Sequence, residues 1–383
     1  MNAACSQFVA CLVAVAHTAT GGRAQPAQPV HSAAQSWVVE STPLADIGGS
    51  PTDHRDQLGR AVAAARFDNG QIAVLDAFIP AVRVYSAKGV HLRDLGRSGQ
   101  GPGEFGEVIA FATVSDTAVV LDRSGDVEWI TSDGRHLRSL TTRQSGFLDP
   151  RFNARPSAVL YDGSVLLRAE ERLYGRVRGE YRQTVGLLRV ANRVVSDTIG
   201  WFRGDSIRTD AGDNPIPRPY LPDAGLLWSS AGGRVFAVTA DATKVIIVTV
   251  GGAPIGEFAA EGRRTPVNEA DVAAIADEWA ARGATANDRR VIREFVEGRP
   301  RARVAPFFRS MLAVSAQELW IESWQRDGSS SEWLVYSATG ALIARVLVPA
   351  NLKLQDVGAD WVLGVARDDD DVQHVRLHRL RRE

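Results

Sequence analysis

The sequence predicts an all-β fold, a six-bladed β-propeller with a short helical insertion between blades four and five. Three observations predict it: a strand unit that recurs about every 45 residues, tight-turn residues inside each unit, and a lone strand ahead of the first unit matched by a last unit that runs out of chain.

The repeat is clearest in its first two copies. Residues 70–76 (GQIAVLD), 82–85 (VRVY) and 88–95 (KGVHLRDL) are answered by 117–122 (TAVVLD), 127–130 (VEWI) and 133–140 (DGRHLRSL). Gly89 and Gly134 stand 45 positions apart, and Leu92/Leu137 and Leu95/Leu140 keep the same offset. Apolar residues in short runs or alternating in twos mark strands, and the Asp-Gly, Lys-Gly and Asn-Gly pairs between them favour reversal, so each unit is an antiparallel meander. Weaker copies follow at 162–167 with 185–195, at 233–238 with 245–250 and 255–258, and at 318–321 with 333–336 and 341–348. The sixth copy, 360–365 with 374–380, ends after its third strand, whereas residues 36–40 (SWVVE) precede the first copy without a partner. Pairing these two ends closes a ring and removes both sheet edges.

One segment breaks the strand rhythm. Thr265-Pro266 is a helix start, after which Val272, Ile275, Ala276 and Trp279 fall at helical spacing; a second helix fits residues 288–297, with Asn287 as its cap and Val291, Ile292, Phe295 and Val296 on one face. Gly283 is the turn between them. This insertion, residues 265–298, is expected to lie against a blade edge or over one end of the central channel.

Ahead of the repeats, residues 8–16 (FVACLVAVA) form an apolar run followed by small and polar residues ending at Ala24, the pattern of a secretory signal in residues 1–24, though without a basic start. The run is far short of the ~20 apolar residues a spanning helix needs, and no later segment substitutes, so no transmembrane segment is expected. Cys5 and Cys11 both fall inside this signal, which leaves the exported chain without disulfide or thiolate chemistry. A lipid-modified Cys11 is disfavoured because the apolar run continues past it. Residues 25–35 read as a flexible leader and 36–383 as the propeller.

The stretch 96–105 (GRSGQGPGEF), together with the strand-turn-strand of residues 74–85 before it, resembles the glycine-rich link between blades in six-bladed propellers of the NHL-repeat type. Residues 361–365 with 375–380 look like the last blade of a poorly characterised bacterial exported group with this fold. The resemblance covers roughly residues 36–380, is strongest in the first two blades and the last, and departs from the pattern in blades three and four. It implies a binding role in the cell envelope when no chemical motif accompanies it.

Composition removes some functions. The 45 acidic residues against 44 basic ones leave no overall field for nucleic acid or anionic lipid. The basic residues are almost all arginine, with lysine only at positions 88, 244 and 353, which base composition of the genome explains more simply than selected anion recognition.

Motifs of chemistry are thin. Gly99, Gly101 and Gly103 do not make a phosphate loop, since Pro102 interrupts them and no helix follows. His374 and His378 share one strand face, but no third ligand stands near, so they read as outward-facing polar positions and not as a zinc pair; His91 and His136 hold one structural place in successive repeats. The acidic run 368–371 lacks the spaced ligands and turn glycine of a calcium loop and reads as a solvated turn. No cofactor and no metal are expected.

A propeller gathers the loops after the second strand of each blade at one end of its channel. The residues expected there are Asp76, Asp122, Arg168, Asp241, Glu322 and Arg367, with Arg123, Trp324 and Arg326 just beyond. Asp76 and Asp122 are expected to brace their own turns, as the aspartate at this place does in the NHL pattern; Arg168, Glu322, Trp324 and Arg326 are the stronger ligand-binding candidates. The expected function is a non-catalytic binding or scaffolding module for an envelope protein, peptide or glycan. The alternative is a propeller hydrolase, lactonase or lyase with a metal-dependent site in the channel, which needs carboxylates converging there; the expected residues alternate in sign instead.

Overall fold

A computed structural model describes residues 34–382, apart from 49–55, 77–78, 80, 100, 142–148, 174–178, 192–193, 210–216, 224, 282, 284, 327–329, 369 and 371. The signal and most of the leader, with Cys5 and Cys11, lie outside the described residues. The fold is all-β, with two helices among the described residues.

Each repeat copy is a meander of antiparallel strands. The first sheet holds Ala61–Arg66, Ile72–Asp76, Val82–Tyr85 and His91–Leu95 in that order, and the second holds Val108–Val114, Thr117–Asp122, Asp126–Thr131 and His136–Thr141. The third runs Phe152–Val159, Val165–Glu171, Gly179–Ala191 and Val194–Thr209, with the short Pro217–Pro219 at its edge. The fourth holds Leu226–Ala231, Arg234–Thr239, Lys244–Thr249 and Pro254–Ala259. The remaining strands form one eight-stranded sheet: Phe308–Ala313, Glu318–Ser323, Ser330–Ser337 and Leu342–Pro349, then Gln35–Ile47, then Gln373–Arg381, Trp361–Arg367 and Leu352–Val357.

The second and third strands of these sheets are largely buried because each sheet is covered on both sides; Ile72–Asp76 is buried at every position. The seams follow one another in order. Ala73, Val82 and Val84 of the first sheet meet Ala118, Val120 and Ile130 of the second. Val119, Leu121 and Trp129 meet Val165, Leu167 and Val190 of the third. Leu166, Leu187 and Ile199 meet Val235, Ala237 and Val248 of the fourth. Phe236, Val238 and Ile247 meet Leu319, Ile321 and Tyr336. Trp320, Trp333 and Val346 meet Leu352, Val357 and Val362 within the eight-stranded sheet. Leu363, Val375 and Leu377, with Ala45 and Ile47, return to Ile72, Val74 and Tyr85 of the first sheet.

The strand Gln35–Ile47 joins the two ends of the chain. It pairs parallel with Leu342–Pro349, Trp37 opposite Val346, and antiparallel with Gln373–Arg381, Ile47 opposite Val375. It is longer than the five residues expected from the sequence. Its partner strand is covered on both sides, which corrects the reading of His374 and His378 as outward-facing: they are 8% and 5% exposed. His374 Nδ1 lies 2.7 Å from Asp46 Oδ1, and His378 Nδ1 lies 2.8 Å from the Glu40 carbonyl, so both brace the closing strand.

Two helices, α1 (Glu269–Ala280) and α2 (Ala286–Glu297), follow the fourth sheet. Their caps differ from expectation. Asn268 caps α1 and Thr285 caps α2, each in a reciprocal box with the aspartate three residues on, Asp271 and Asp288. Pro266 is held instead in an antiparallel bridge to Val304, and Asn287 Oδ1 accepts from Arg290 Nη2. The apolar face expected on α2 is divided: Val296 is buried and Ile292 packs beside it, whereas Val291 and Phe295 are exposed.

Side chains also stitch sheet to sheet. The Asp356 carboxylate accepts from the Arg66 backbone N–H at 2.9 Å across the seam that returns to the first sheet. Burial pushes this carboxyl up to about 6, against the pull of the Arg66 and Val357 N–H groups. A carboxyl raised on folding stabilises fully below the unfolded value near 4, and that contribution is lost as pH rises through about 6. Relative to Asp356→Asn, the wild type should therefore gain about 2 kcal/mol on going from pH 6 to pH 4. Urea melts of both proteins across this range check it, and parallel curves would contradict it.

Candidate functional site

The side chains expected at the ends of the second strands serve different ends. Asp76 is 1% exposed and accepts from the backbone N–H of Gly59 (2.7 Å) and Arg60 (3.1 Å), fixing the entry into the first sheet. Asp122 accepts from Gly106 N–H (3.3 Å), Asp126 N–H (2.9 Å) and the Ser124 hydroxyl (2.6 Å), which holds its own turn and the preceding link together. Arg123 forms a two-pronged pair with Glu107, both bonds 2.5 Å. Arg168 Nε donates to Glu170 (2.8 Å), and Asp241 accepts both Nη groups of Arg182 (2.9 and 3.0 Å). Glu322 accepts from the Ser331 hydroxyl at 2.8 Å, and Arg367 closes its strand with its carbonyl taking Asn351 Nδ2.

Asp122 and Arg123 line a cleft of about 920 Å³. One wall is the glycine-rich link, where Arg97–Ser98 pairs with Glu104–Phe105. Gly96 is required there: its φ is +76°, and a Cβ would sit 2.1 Å from the Phe105 ring. The link runs beside the mouth of the second sheet, with no phosphate-loop helix after it. Among the described lining residues Glu104, Glu107, Asp122, Asp126 and Glu128 supply five carboxylates and Arg123 a guanidinium; Arg123 is paired with Glu107, and Arg97 reaches in to Glu104 at 2.8 Å.

On this wall Ser139, His136 and Glu128 come together. A hydrolytic triad needs the carboxylate on one ring nitrogen and the serine on the other. Here His136 Nε2 faces both Glu128 Oε2 (2.7 Å) and Ser139 Oγ (3.1 Å), and the serine hydroxyl itself donates to Glu128 (2.7 Å). Glu128 also accepts from Gly103 N–H, so the group anchors the link to the sheet and does not activate a nucleophile. Among the described residues no group of three or more His, Cys, Asp or Glu side chains is arranged to hold a metal ion. In the acidic run, Asp368 accepts from the backbone of Asp370 and Val372, which makes it a braced turn, while Asp369 and Asp371 lie outside the described residues.

Trp324 and Arg326 belong to the seat of the helical pair. Trp324 packs with Leu221, Ile275, Ala276 and Val296, and the Arg309 guanidinium lies 4.8 Å from its ring. Arg326 holds Asp271 with Nε and Nη2 at 3.2 Å each and also reaches the Pro266 carbonyl. On the other side, Arg299 is 5% exposed, donates to the carbonyls of Pro219 and Tyr220, and stacks on Trp279. The insertion is thus tied to both the third sheet and the eight-stranded sheet.

Sequence reasoning missed a carboxyl pair in this region. Strands Gly179–Ala191 and Val194–Thr209 continue their pairing beyond Val165–Glu171, and Asp205 sits in that extension. Its carboxyl is pushed up to about 8, first by burial and then by a hydrogen bond and charge from Asp223, against the opposing charges of Arg168 and Arg299. Eighteen positions separate the two aspartates, so no spacing rule announces them.

No family model matches the chain, and no curated protein does. Among solved structures, a member of the DUF4221 family from Bacteroides vulgatus is similar, at 10% identity and a TM-score of 0.48, over 91% of this chain and 99% of that one. A presumed exported protein of Bacteroides fragilis is 13% identical with a TM-score of 0.45, over 92% of this chain and 98% of that one. An inactive virginiamycin B lyase of Staphylococcus aureus with quinupristin is 10% identical with a TM-score of 0.41, over 91% and 100%. Likeness at this level says nothing of activity. Among the described residues no helix is long and apolar enough to cross a membrane.

Proposed function

We propose that the chain is an exported six-bladed β-propeller, of the NHL-like type, that acts as a binding module for a basic peptide segment of an envelope protein. The blade count rests on six consecutive seams that lead back to the first sheet, with the eight-stranded sheet counted as two blades joined through Gln35–Ile47. The helical pair is then the insertion between blades four and five. Export rests on the signal-like residues 1–24.

The observation that carries the binding reading is the acidic cleft. Its volume lies in the range of ligand sites, and its carboxylates are held by backbone N–H groups and neighbouring side chains before any ligand arrives, which lowers the ordering cost of binding. With Arg97 on Glu104 and Arg123 on Glu107, the five carboxylates of the described lining still outnumber the guanidinium groups that reach them, which favours a cationic partner.

Fluorescence anisotropy with a labelled arginine- and lysine-rich peptide tests this. Glu107→Lys reverses an exposed charge on the rim and should weaken binding about fivefold, with affinity falling as salt rises. Equal affinity for an acidic peptide, or binding indifferent to both salt and Glu107→Lys, rejects the reading. Bound calcium with turnover of a lactone would replace it with the hydrolase alternative.

A further inference from the structure

The third sheet carries an aromatic platform towards the end where Val165–Glu171 finishes. Residues directly opposite one another in a sheet share a face, and so do positions two apart along a strand. One such row crosses the four long strands: Ala154, Ala169, Gly186 and Trp201. Its first three members carry nothing larger than a methyl group, which leaves room for the indole to lie over them. A Cβ on Gly186 would stand 2.6 Å from the Trp201 ring, so the glycine is what lets the ring rest against the strand. Phe152, two positions before Ala154, brings its ring to 4.7 Å from that of Trp201 between centroids, at an interplanar angle of 49°, and holds the indole from the side. Trp201 nevertheless stays 46% exposed.

The adjoining row on the same face is polar beyond Phe152. Glu171 stands opposite Phe152, and Arg203 stands opposite Thr184. The Glu171 carboxylate is fixed by two donors, the Tyr181 hydroxyl at 2.7 Å and Thr184 N–H at 3.2 Å. Arg203 is exposed, and Arg151, whose Nη2 donates to Asp149 at 2.7 Å, lies 5.7 Å from the Phe152 ring. The platform is therefore bordered by groups of both signs, a carboxylate already in place and guanidinium groups beside it.

A mixed border selects against a charged ligand, since an acid meets Glu171 and a base meets Arg151 and Arg203. A neutral pyranose ring suits all of it: its C–H face stacks on an aromatic ring, and its hydroxyls both donate and accept, so that one ring can use the carboxylate and a guanidinium together. We propose that Trp201 is the stacking platform of a binding site for a pyranose unit of a neutral glycan, oriented by Glu171 and Arg203. The site is independent of the peptide-binding reading, because none of these residues is among the described lining of the acidic cleft.

Calorimetric titration and saturation-transfer difference NMR with maltohexaose, cellohexaose and chitohexaose test it. At least one of these should bind saturably, with the ring C–H protons receiving the strongest transfer and with an affinity that does not change with salt. Trp201→Ala should lower that affinity about tenfold, and Trp201→Phe should keep most of it. Arg203→Ala, an exposed change that serves if Trp201→Ala fails to fold, should lower it about threefold to fivefold. Failure of all of these hexasaccharides to bind at millimolar concentration overturns the proposal, as does binding that neither Trp201→Ala nor Arg203→Ala weakens. A salt-sensitive, Trp201-dependent preference for a charged peptide over every one of the sugars overturns it in favour of a protein partner.

Discussion

A chain that begins at residue 44 is expected to melt about 10–20 °C below one that begins at Ala34. The ten residues removed carry every parallel pair with Leu342–Pro349 and the first antiparallel pairs with Gln373–Arg381. They also remove Trp37, which is 5% exposed, lies 6.1 Å from Trp320 between ring centroids, and sits under the Arg382 guanidinium at 4.4 Å. Losing a buried tryptophan alone costs about 3–5 kcal/mol. His378 loses the Glu40 carbonyl in addition, and a freed strand edge is left between the two halves of the sheet. A total near 5 kcal/mol, at about 2–4 °C per kcal/mol for a domain of this size or somewhat smaller, gives the stated range. Trp37→Ala in the longer chain should recover much of the shift, since it removes the side chain and keeps the ladder. Thermal melts followed by far-ultraviolet circular dichroism decide the matter, and an unchanged midpoint in the shorter chain would show that closure of the ring contributes little.

The strands were legible because their signal is local. Alternating and fully apolar runs, punctuated by turn glycines such as Gly89 and Gly134 at positive φ, report the meander directly, and both positions hold that conformation. The closing strand was legible because an odd strand at each end asks for a partner. What escaped was set by tertiary contact. Asn268 takes the α1 cap while Pro266 is drawn into a bridge with Val304, an interaction between positions far apart in the chain; Thr285 takes the α2 cap through its own box with Asp288. The length of the Gly179–Ala191 hairpin was hidden by its polar residues, which pair with other polar side chains more than with a core: Arg182 with Asp241, Tyr181 with Glu171, Tyr220 with Glu180. Six of the nine candidate residues stand in or just after the second strands of successive repeat copies and the other three just beyond, but a place in a sheet does not specify a partner. Arg326 was singled out because no turn requires it; its partner is a helix that the strand pattern could not position.

Asp271→Ala should cost about 3 kcal/mol, felt in the helical insertion more than in the sheets. The Asp271 side chain is only 2% exposed, accepts both ends of Arg326, and closes the α1 capping box by accepting from Asn268 N–H at 2.8 Å. Removing the carboxylate strands a guanidinium and a helix-start donor at once. The cap is worth about 1 kcal/mol, and a broken buried pair 3–5 kcal/mol, reduced here because Arg326 is itself about half exposed. Arg326→Ala leaves the opposite defect, a buried carboxylate that retains only its cap, so it should be comparably costly. In a double-mutant cycle the two changes should couple by about 1–2 kcal/mol, because each single change already removes the shared pair. Hydrogen exchange in residues 268–302 reads this directly. If Arg326→Ala left exchange in α1 untouched while abolishing peptide binding, the guanidinium would be a ligand contact and not a clamp, and the insertion would be held by the apolar core around Trp324 and by Arg299.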